Sequence, residues 1–250
     1  MAMSDFFDNE TESLIDISKF YGEAGHIVEK CLIIFSKEIY DYLLDNYKCE
    51  IIGEIGVCNG NVPIMCLENK GEKIAFYLTG IGSAVASSMC YESHWITGAD
   101  KYIMFGSCGS LDGEKTRGKF VIPTECYRGE GASYYYAPAS DYIGIKNSDR
   151  LAEVFAEKKI PYIQGRVWTT DSMLRETKGL VSKRRQEGCI AVEMELAGVQ
   201  AVCDFYGLEL YDFLEPGDVL SESEYEAEGL SDANHSIAKV LIALEVATLL

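Results

Sequence analysis

Residues 74–84 read Ile74-Ala75-Phe76-Tyr77-Leu78-Thr79-Gly80-Ile81-Gly82-Ser83-Ala84, and residues 101–110 read Lys101-Tyr102-Ile103-Met104-Phe105-Gly106-Ser107-Cys108-Gly109-Ser110. Each segment is a short apolar run followed by a glycine-rich turn. A bounded run of this length, rich in aromatic and branched residues, predicts a buried strand. Small residues follow the first turn from Val85 to Trp95 and predict a helix. Two strand-to-glycine units in succession predict an α/β fold, a mixed, mostly parallel sheet flanked by helices.

Other signals extend this frame in both directions. Cys31-Leu32-Ile33-Ile34-Phe35 predicts a strand, and Ile39-Tyr40, Tyr42-Leu43-Leu44 show helical spacing. Turn residues at Asn59-Gly60-Asn61 and Asn69-Lys70-Gly71-Glu72 break residues 51–78 into short strands, the last two forming a hairpin. Further strands are predicted at Lys119–Pro123, Tyr162–Trp168 and Leu208–Leu214. Further helices are predicted at Asp149–Lys158, Gly179–Glu187, Met194–Tyr206 and Ala233–Leu249. No repeat or proline-rich linker divides the chain, so residues 26–250 read as one domain preceded by a polar extension, residues 1–25.

Composition excludes several function classes. The chain has 250 residues and a formal charge of −18, from 40 acids against 22 bases. Binding to nucleic acid needs a basic surface to neutralise phosphates, and an anionic membrane surface would repel this protein. No apolar run reaches the ~18–20 residues that span a bilayer. The acidic segment Met1 to Glu12 lacks the basic-then-apolar order of a signal peptide. Nine cysteines without a CxxC pair, and three histidines without clustered ligand spacing, argue for reduced thiols and against zinc. The expected location is the cytoplasm.

The glycine turns lie where an open parallel sheet binds ligands, beyond the carboxyl ends of its strands. Glycine there lets backbone N–H groups approach an oxyanion, and Ser107 can add a hydroxyl. Gly80-Ile81-Gly82 lacks the third glycine of a dinucleotide fingerprint. In Ala191-Val192-Glu193-Met194-Glu195-Leu196-Ala197-Gly198, two carboxylates interrupt an apolar stretch. Helix-dipole compensation accounts for one. A second buried carboxylate needs donors, and sugar hydroxyls are suitable ones. Leu208–Leu214 ends in Glu215-Pro216-Gly217-Asp218, which puts Asp218 at the ligand edge or makes it a turn or cap residue.

Five segments together resemble the nucleoside phosphorylase superfamily of the hexameric, purine nucleoside phosphorylase and uridine phosphorylase type. They are Thr79-Gly80-Ile81-Gly82; Gly106-Ser107-Cys108-Gly109-Ser110-Leu111; Gly129-Glu130-Gly131-Ala132-Ser133 with Tyr134-Tyr135-Tyr136-Ala137-Pro138; Thr169-Thr170-Asp171-Ser172; and Val192-Glu193-Met194-Glu195 with Ala197-Gly198. The resemblance implies the family's single-domain fold and cleavage of a nucleoside by inorganic phosphate, giving free base and (deoxy)ribose 1-phosphate. It implies that Asp218 is the catalytic acid at the base, and that Glu195, with Met194 and Glu193, binds the ribose. It places Gly82, Gly106 and Ser107 at the phosphate, and Cys108, Gly109, Trp168, Met173 and Arg175 at the base. It implies no cofactor beyond the co-substrate phosphate. It also implies a homo-oligomer, a dimer or hexamer, whose sites are completed by a neighbouring subunit.

The chain departs from that pattern at the phosphate. The family's arginines follow a Gly-Asp-Pro turn, precede the second glycine turn, and come from the neighbouring subunit. Here those places read Phe35-Ser36-Lys37-Glu38-Ile39, Met104, and no arginine between Cys49 and Leu78. Lys37, Lys48, Arg117 and Arg128 are candidate replacements. The family pattern has serine before the catalytic aspartate, where this chain has Gly217. Two alternatives follow: a nucleosidase that uses water, and a non-catalytic nucleoside-binding protein.

Overall fold

In the computed structural model, which describes residues 7–8, 11–58, 60–221 and 224–250, both strand-to-glycine units lie in one sheet. The chain runs through a single helical turn, α1 (Ser18–Tyr21), to β1 (Lys30–Ile34) and α2 (Lys37–Asn46). A meander follows, β2 (Cys49–Val57), β3 (Gly60–Asn69) and β4 (Glu72–Leu78), and α3 (Ser83–Thr97) leads to β5 (Lys101–Ser110). After α4 (Gly113–Thr116) come β6 (Phe120–Gly129), β7 (Tyr142–Gly144), α5 (Ser148–Glu157) and β8 (Tyr162–Thr170). The chain closes with α6 (Lys178–Gln186), β9 (Cys189–Glu193), α7 (Leu196–Tyr206), β10 (Glu209–Leu220), β11 (Tyr225–Glu226), α8 (Leu230–His235) and α9 (Ile237–Ala247).

The sheet is mixed. β1 pairs in parallel with β4 and β5, β5 with β10, β6 with β8, and β8 with β9. Antiparallel ladders add β3 and β2 beyond β4. Antiparallel contacts of β9 with β5 and of β6 with β10 close five strands, β5-β9-β8-β6-β10, into a ring. Both closing ladders are short: Gly109 and Ser110 face Val192 and Ala191, and Leu214 faces Val121. The ladder between β5 and β10 runs the length of both strands.

Both faces of the sheet are covered, which explains the unbroken apolar runs. Along β1, Cys31 and Ile33 enter one core with Ala86 and Cys90 of α3 and Leu196 and Val199 of α7. Leu32 and Ile34 enter the opposite core with Leu43 of α2, Phe155 of α5 and Val240 of α9. Ser36 caps α2 by accepting from the Ile39 N–H at 3.3 Å. The nine cysteines are free thiols, seven of them buried.

Four local expectations are corrected. Gly106–Ser110 is strand, not turn, because β10 pairs along one side and β9 along the other. Glu215–Asp218 likewise belongs to β10, with a bulge between Pro216 and Asp218; a bulge tolerates the missing proline donor. Cys189–Glu193 is a strand, so α7 starts at Leu196 rather than at Met194. The predicted carboxyl-terminal helix is broken by Ser236, whose φ of −62° and ψ of 112° are not helical.

Of the amino-terminal extension, residues 1–6 and 9–10 lie outside the described residues, as does Asn59 of the predicted turn. Of the described remainder, residues 11–16 are exposed, while Phe7, Tyr21, Gly22 and Gly25 contact the domain. Tyr21 Oη donates to Glu92 at 3.2 Å and accepts from the Gly56 N–H at 3.0 Å. Trp95 Nε1 donates to the Gly22 carbonyl at 3.0 Å. None of the described helices is long and apolar enough to cross a membrane.

Candidate active site

The β5–β10 register decides what the pocket contains. It sets Glu215 opposite Ser107 and Asp218 opposite Gly109. β9 ends beside them, so Glu193 and the start of α7 reach the same space. The result is a pocket of about 360 Å³ lined by Glu195 and Asp218 among others. That volume lies in the small-ligand range.

Asp218 is buried, and burial raises its carboxyl above the ordinary aspartate value, while the Tyr225 hydroxyl partly offsets this by donating to it. Glu176 lines the same end and titrates at about 7, from burial and then from the charge of Asp218. Met173 forms an apolar wall, about half exposed, in a short 3-10 turn. Gly217 answers for the missing serine of the sequence pattern. A Cβ there would lie 2.8 Å from Ala233 Cβ and 3.0 Å from Leu230 Cα, so the close seat of α8 requires glycine.

Glu193 and Glu195 have different tasks. Glu193 Oε2 accepts the N–H groups of Glu195 and Leu196, at 2.6 and 2.7 Å, and Oε1 accepts the Thr169 hydroxyl. Its carboxylate therefore caps α7 while lining the pocket, and burial lifts it to about 7. Glu195 Oε1 accepts the Gly82 N–H at 2.6 Å. Gly82 reaches it because its φ of +106° directs the chain into α3, a conformation side chains disfavour. Burial, then the charge of Glu193, raises Glu195 to about 8.

The opposite end is built from β1, β5 and the last two helices. The Ser107 hydroxyl donates to Asn234 Oδ1, and His235 Nδ1 lies 2.8 Å from the Ser36 hydroxyl. Lys239 of α9 is buried and lines the pocket, with Nζ donating to the Ala233 carbonyl. Asp212, opposite Met104, is buried with both carboxyl oxygens unpartnered and lines the pocket too. Burial, then the charges of Glu193 and Glu195, raise it well above the ordinary value and so favour its neutral form.

Of the residues expected from sequence, Asp218, Glu195, Met194, Glu193, Gly106, Ser107, Cys108, Gly109 and Met173 line this one pocket. Three do not. Gly82 touches the site through Glu195. Trp168 is buried among Leu111, Val181, Cys189, Val192 and Leu220 and is not part of the lining. Arg175 is exposed outside the lining.

No arginine lines the pocket among the described residues, in keeping with the gap seen in the sequence. Arg128 is committed elsewhere: it donates to Ser133 Oγ at 2.7 Å and the Pro138 carbonyl at 2.6 Å, and stacks 3.9 Å over Tyr134. It thereby clamps the Gly129–Pro138 loop. Lys37 pairs with Asp41 at the surface, and Lys48 and Arg117 are exposed. Lys239, Asp212 and Glu176 were missed by sequence reasoning. A lone lysine inside Ile237-Ala238-Lys239-Val240-Leu241-Ile242 and a lone aspartate inside Leu210-Tyr211-Asp212-Phe213-Leu214 were available signals, since an apolar run carries a charge only with a reason.

Comparison with known proteins identifies the family. A family model described as the phosphorylase superfamily matches residues 43–213. A DeoD-type purine nucleoside phosphorylase of Caldanaerobacter subterraneus is 28% identical over 239 residues, 89% of this chain and 96% of that protein. One from Bacillus cytotoxicus is 27% identical over 215 residues, 83% of this chain and 90% of that protein. Among solved structures, the Campylobacter jejuni 5'-methylthioadenosine/S-adenosyl homocysteine nucleosidase superposes with a TM-score of 0.72 at 19% identity, covering 89% of this chain and all of that one. The Helicobacter pylori futalosine hydrolase gives 0.69 at 18% identity, covering 89% and 98%. At such identities these two speak to fold alone.

Proposed function

The chain belongs to the phosphorylase superfamily, and on that premise we propose that it cleaves the N-glycosidic bond of a nucleoside with inorganic phosphate. The observation that carries the reading is that Glu195 and Asp218, brought from different elements, line one nucleoside-sized pocket. Glu195 accepts the ribose hydroxyls and orients the anomeric carbon. Phosphate enters from the Ser107 end, and a phosphate oxygen bonds to that carbon as the carbon–nitrogen bond breaks. The bonding pair leaves with the base, and Asp218 donates a proton to it. The raised Asp218 carboxyl suits that role, because it retains its proton nearer neutrality than an ordinary aspartate. In its ionised form, which predominates above about pH 8, Glu195 faces the cationic character that develops on the sugar, an interaction that strengthens in the transition state. Products are the free base and (deoxy)ribose 1-phosphate.

A second reading, hydrolysis, is favoured by one observation: the pocket lining holds five carboxyls and no arginine among the described residues. Incubation with adenosine, inosine, uridine and methylthioadenosine, with and without phosphate, separates the readings. Phosphate-dependent release of base supports phosphorolysis. Release without phosphate refutes it in favour of water, and binding without release makes the protein a nucleoside binder. We also propose a homo-oligomer, dimer or hexamer, in which a neighbouring subunit completes each site. Ile81 and Met173, exposed in the pocket lining, and exposed Leu174 next to Met173 in the chain support this, and light scattering tests it.

A further inference from the structure

We infer that Lys239 is the cation that seats the phosphate in this chain, in place of arginine. The inference rests on the phosphorolytic reading and adds a residue to it.

Three observations carry it. First, Lys239 is 1% exposed yet has no ion-pair partner among the described residues; its Nζ meets only the Ala233 carbonyl. Glu215 supplies an opposing charge that acts on it without an ion-pair contact; a buried ammonium so weakly compensated is costly, and an arriving anion would relieve that cost. Second, Nζ lies at the correct end. The groups whose charges act on it are Glu215, which faces Ser107 across the β5–β10 ladder, and Cys108, the next residue along β5. Lys239 therefore stands near Ser107 and Cys108, beside the stretch that the family resemblance places at the phosphate. Third, the pocket that Lys239 lines holds further polar groups. Asp212 lines it with both oxygens unpartnered, and burial raises its carboxyl well above the ordinary value, which favours its neutral form. Ser107 of β5 and Asn234 and His235 of α8 line the same pocket as polar side chains.

Burial draws the Lys239 ammonium down to about 8, so it is still largely charged at neutral pH, and a bound phosphate would restore its ordinary value. The lysine sits on α9 instead of on β5 or the β1–α2 turn.

The test is phosphate saturation kinetics at fixed nucleoside on the full-length protein. Lys239→Met keeps the volume and removes the charge; Lys239→Arg keeps the charge. Lys239→Met is expected to raise the KM for phosphate ~10–100-fold, as loss of one charge-assisted contact implies, with the nucleoside KM changed less than threefold. Lys239→Arg is expected to recover most of the loss. An unchanged phosphate KM in a folded Lys239→Met variant, with wild-type turnover still phosphate-dependent, overturns the inference alone. Wild-type turnover that ignores phosphate overturns the phosphorolytic reading and this inference with it. Should Lys239→Met fail to fold, 13Cε-lysine NMR of the wild type supplies the answer, its signal assigned through Lys239→Arg. Phosphate must raise the pH at which the Lys239 signal titrates, and an unmoved titration overturns the inference.

Discussion

Replacing Glu195 by glutamine should make the free protein more stable in alkali and a poorer binder of nucleosides. Burial and the neighbouring charge of Glu193 lift the Glu195 carboxyl from 4.5 to about 8. A group raised on folding gives stability that is complete below its unfolded value and is lost as pH climbs through its folded value. At about 1.4 kcal/mol per pH unit, ionising this carboxyl in place costs on the order of 4–5 kcal/mol by pH 9. Glutamine avoids that cost. It keeps a hydrogen bond from the Gly82 N–H, now 2.6 Å from Glu195 Oε1, but not a charge-assisted one, which returns about 1–2 kcal/mol. The net gain is about 3 kcal/mol at pH 9 and close to nothing at pH 5. For a chain of this size that is roughly 6–12 °C in Tm. The nucleoside KM should move the other way, rising ~10–100-fold at pH 9, where the wild-type carboxylate is charged, and less at pH 6. Thermal melts of both proteins from pH 5 to 9.5, with nucleoside saturation curves at the two extremes, give both quantities. Parallel melting curves across the range would refute the electrostatic account, and an unchanged KM would refute the contact with the sugar.

Asp218→Asn removes the proposed proton donor while preserving shape; turnover should fall ~10²–10⁴-fold with nucleoside binding nearly kept, and full-rate base release would sink that role. Gly217→Ser, which restores the serine of the sequence pattern, should destabilise by about 1–3 kcal/mol in urea titration because α8 occupies the space; unaltered stability would show that α8 shifts freely. Met173→Ala, at a half-exposed wall of the pocket, should raise the nucleoside KM by up to about tenfold and leave Tm within a degree or so, whereas a large drop in Tm would make Met173 a packing residue instead.

The order of strands and helices was legible because buried runs such as Leu32–Ile34 and Phe76–Leu78 are local signals. What was not legible was pairing. Gly106–Ser110 and Glu215–Asp218 carry turn residues, and only their mutual ladder makes them strand; that ladder joins segments a hundred residues apart. The same limit hid β9, since Ala191–Glu193 followed by α7 has helical character as sequence and becomes strand by pairing with β8 and β5. Glu195 and Asp218 could be named in advance as carboxyls at the ligand edge. Trp168 could not be placed, because which side of a strand meets a pocket depends on the ring closing. Lys239 was open to notice as a lone lysine in an apolar run, but only the fold shows that it lines the same pocket as Glu195 and Asp218.

The ring of five strands has two narrow seams, one between β5 and β9 and one between β6 and β10, each only one or two residue pairs long. Asp218 and Ser107 stand on the plate formed by β5 and β10, while Glu193 and Glu195 end the plate formed by β6, β8 and β9. In the proposed complex a nucleoside would span the first seam like a rivet. Amide protons of Gly109, Ser110 and Val192 should then exchange more slowly when the pocket is full than when it is empty, reporting occupancy from the architecture itself.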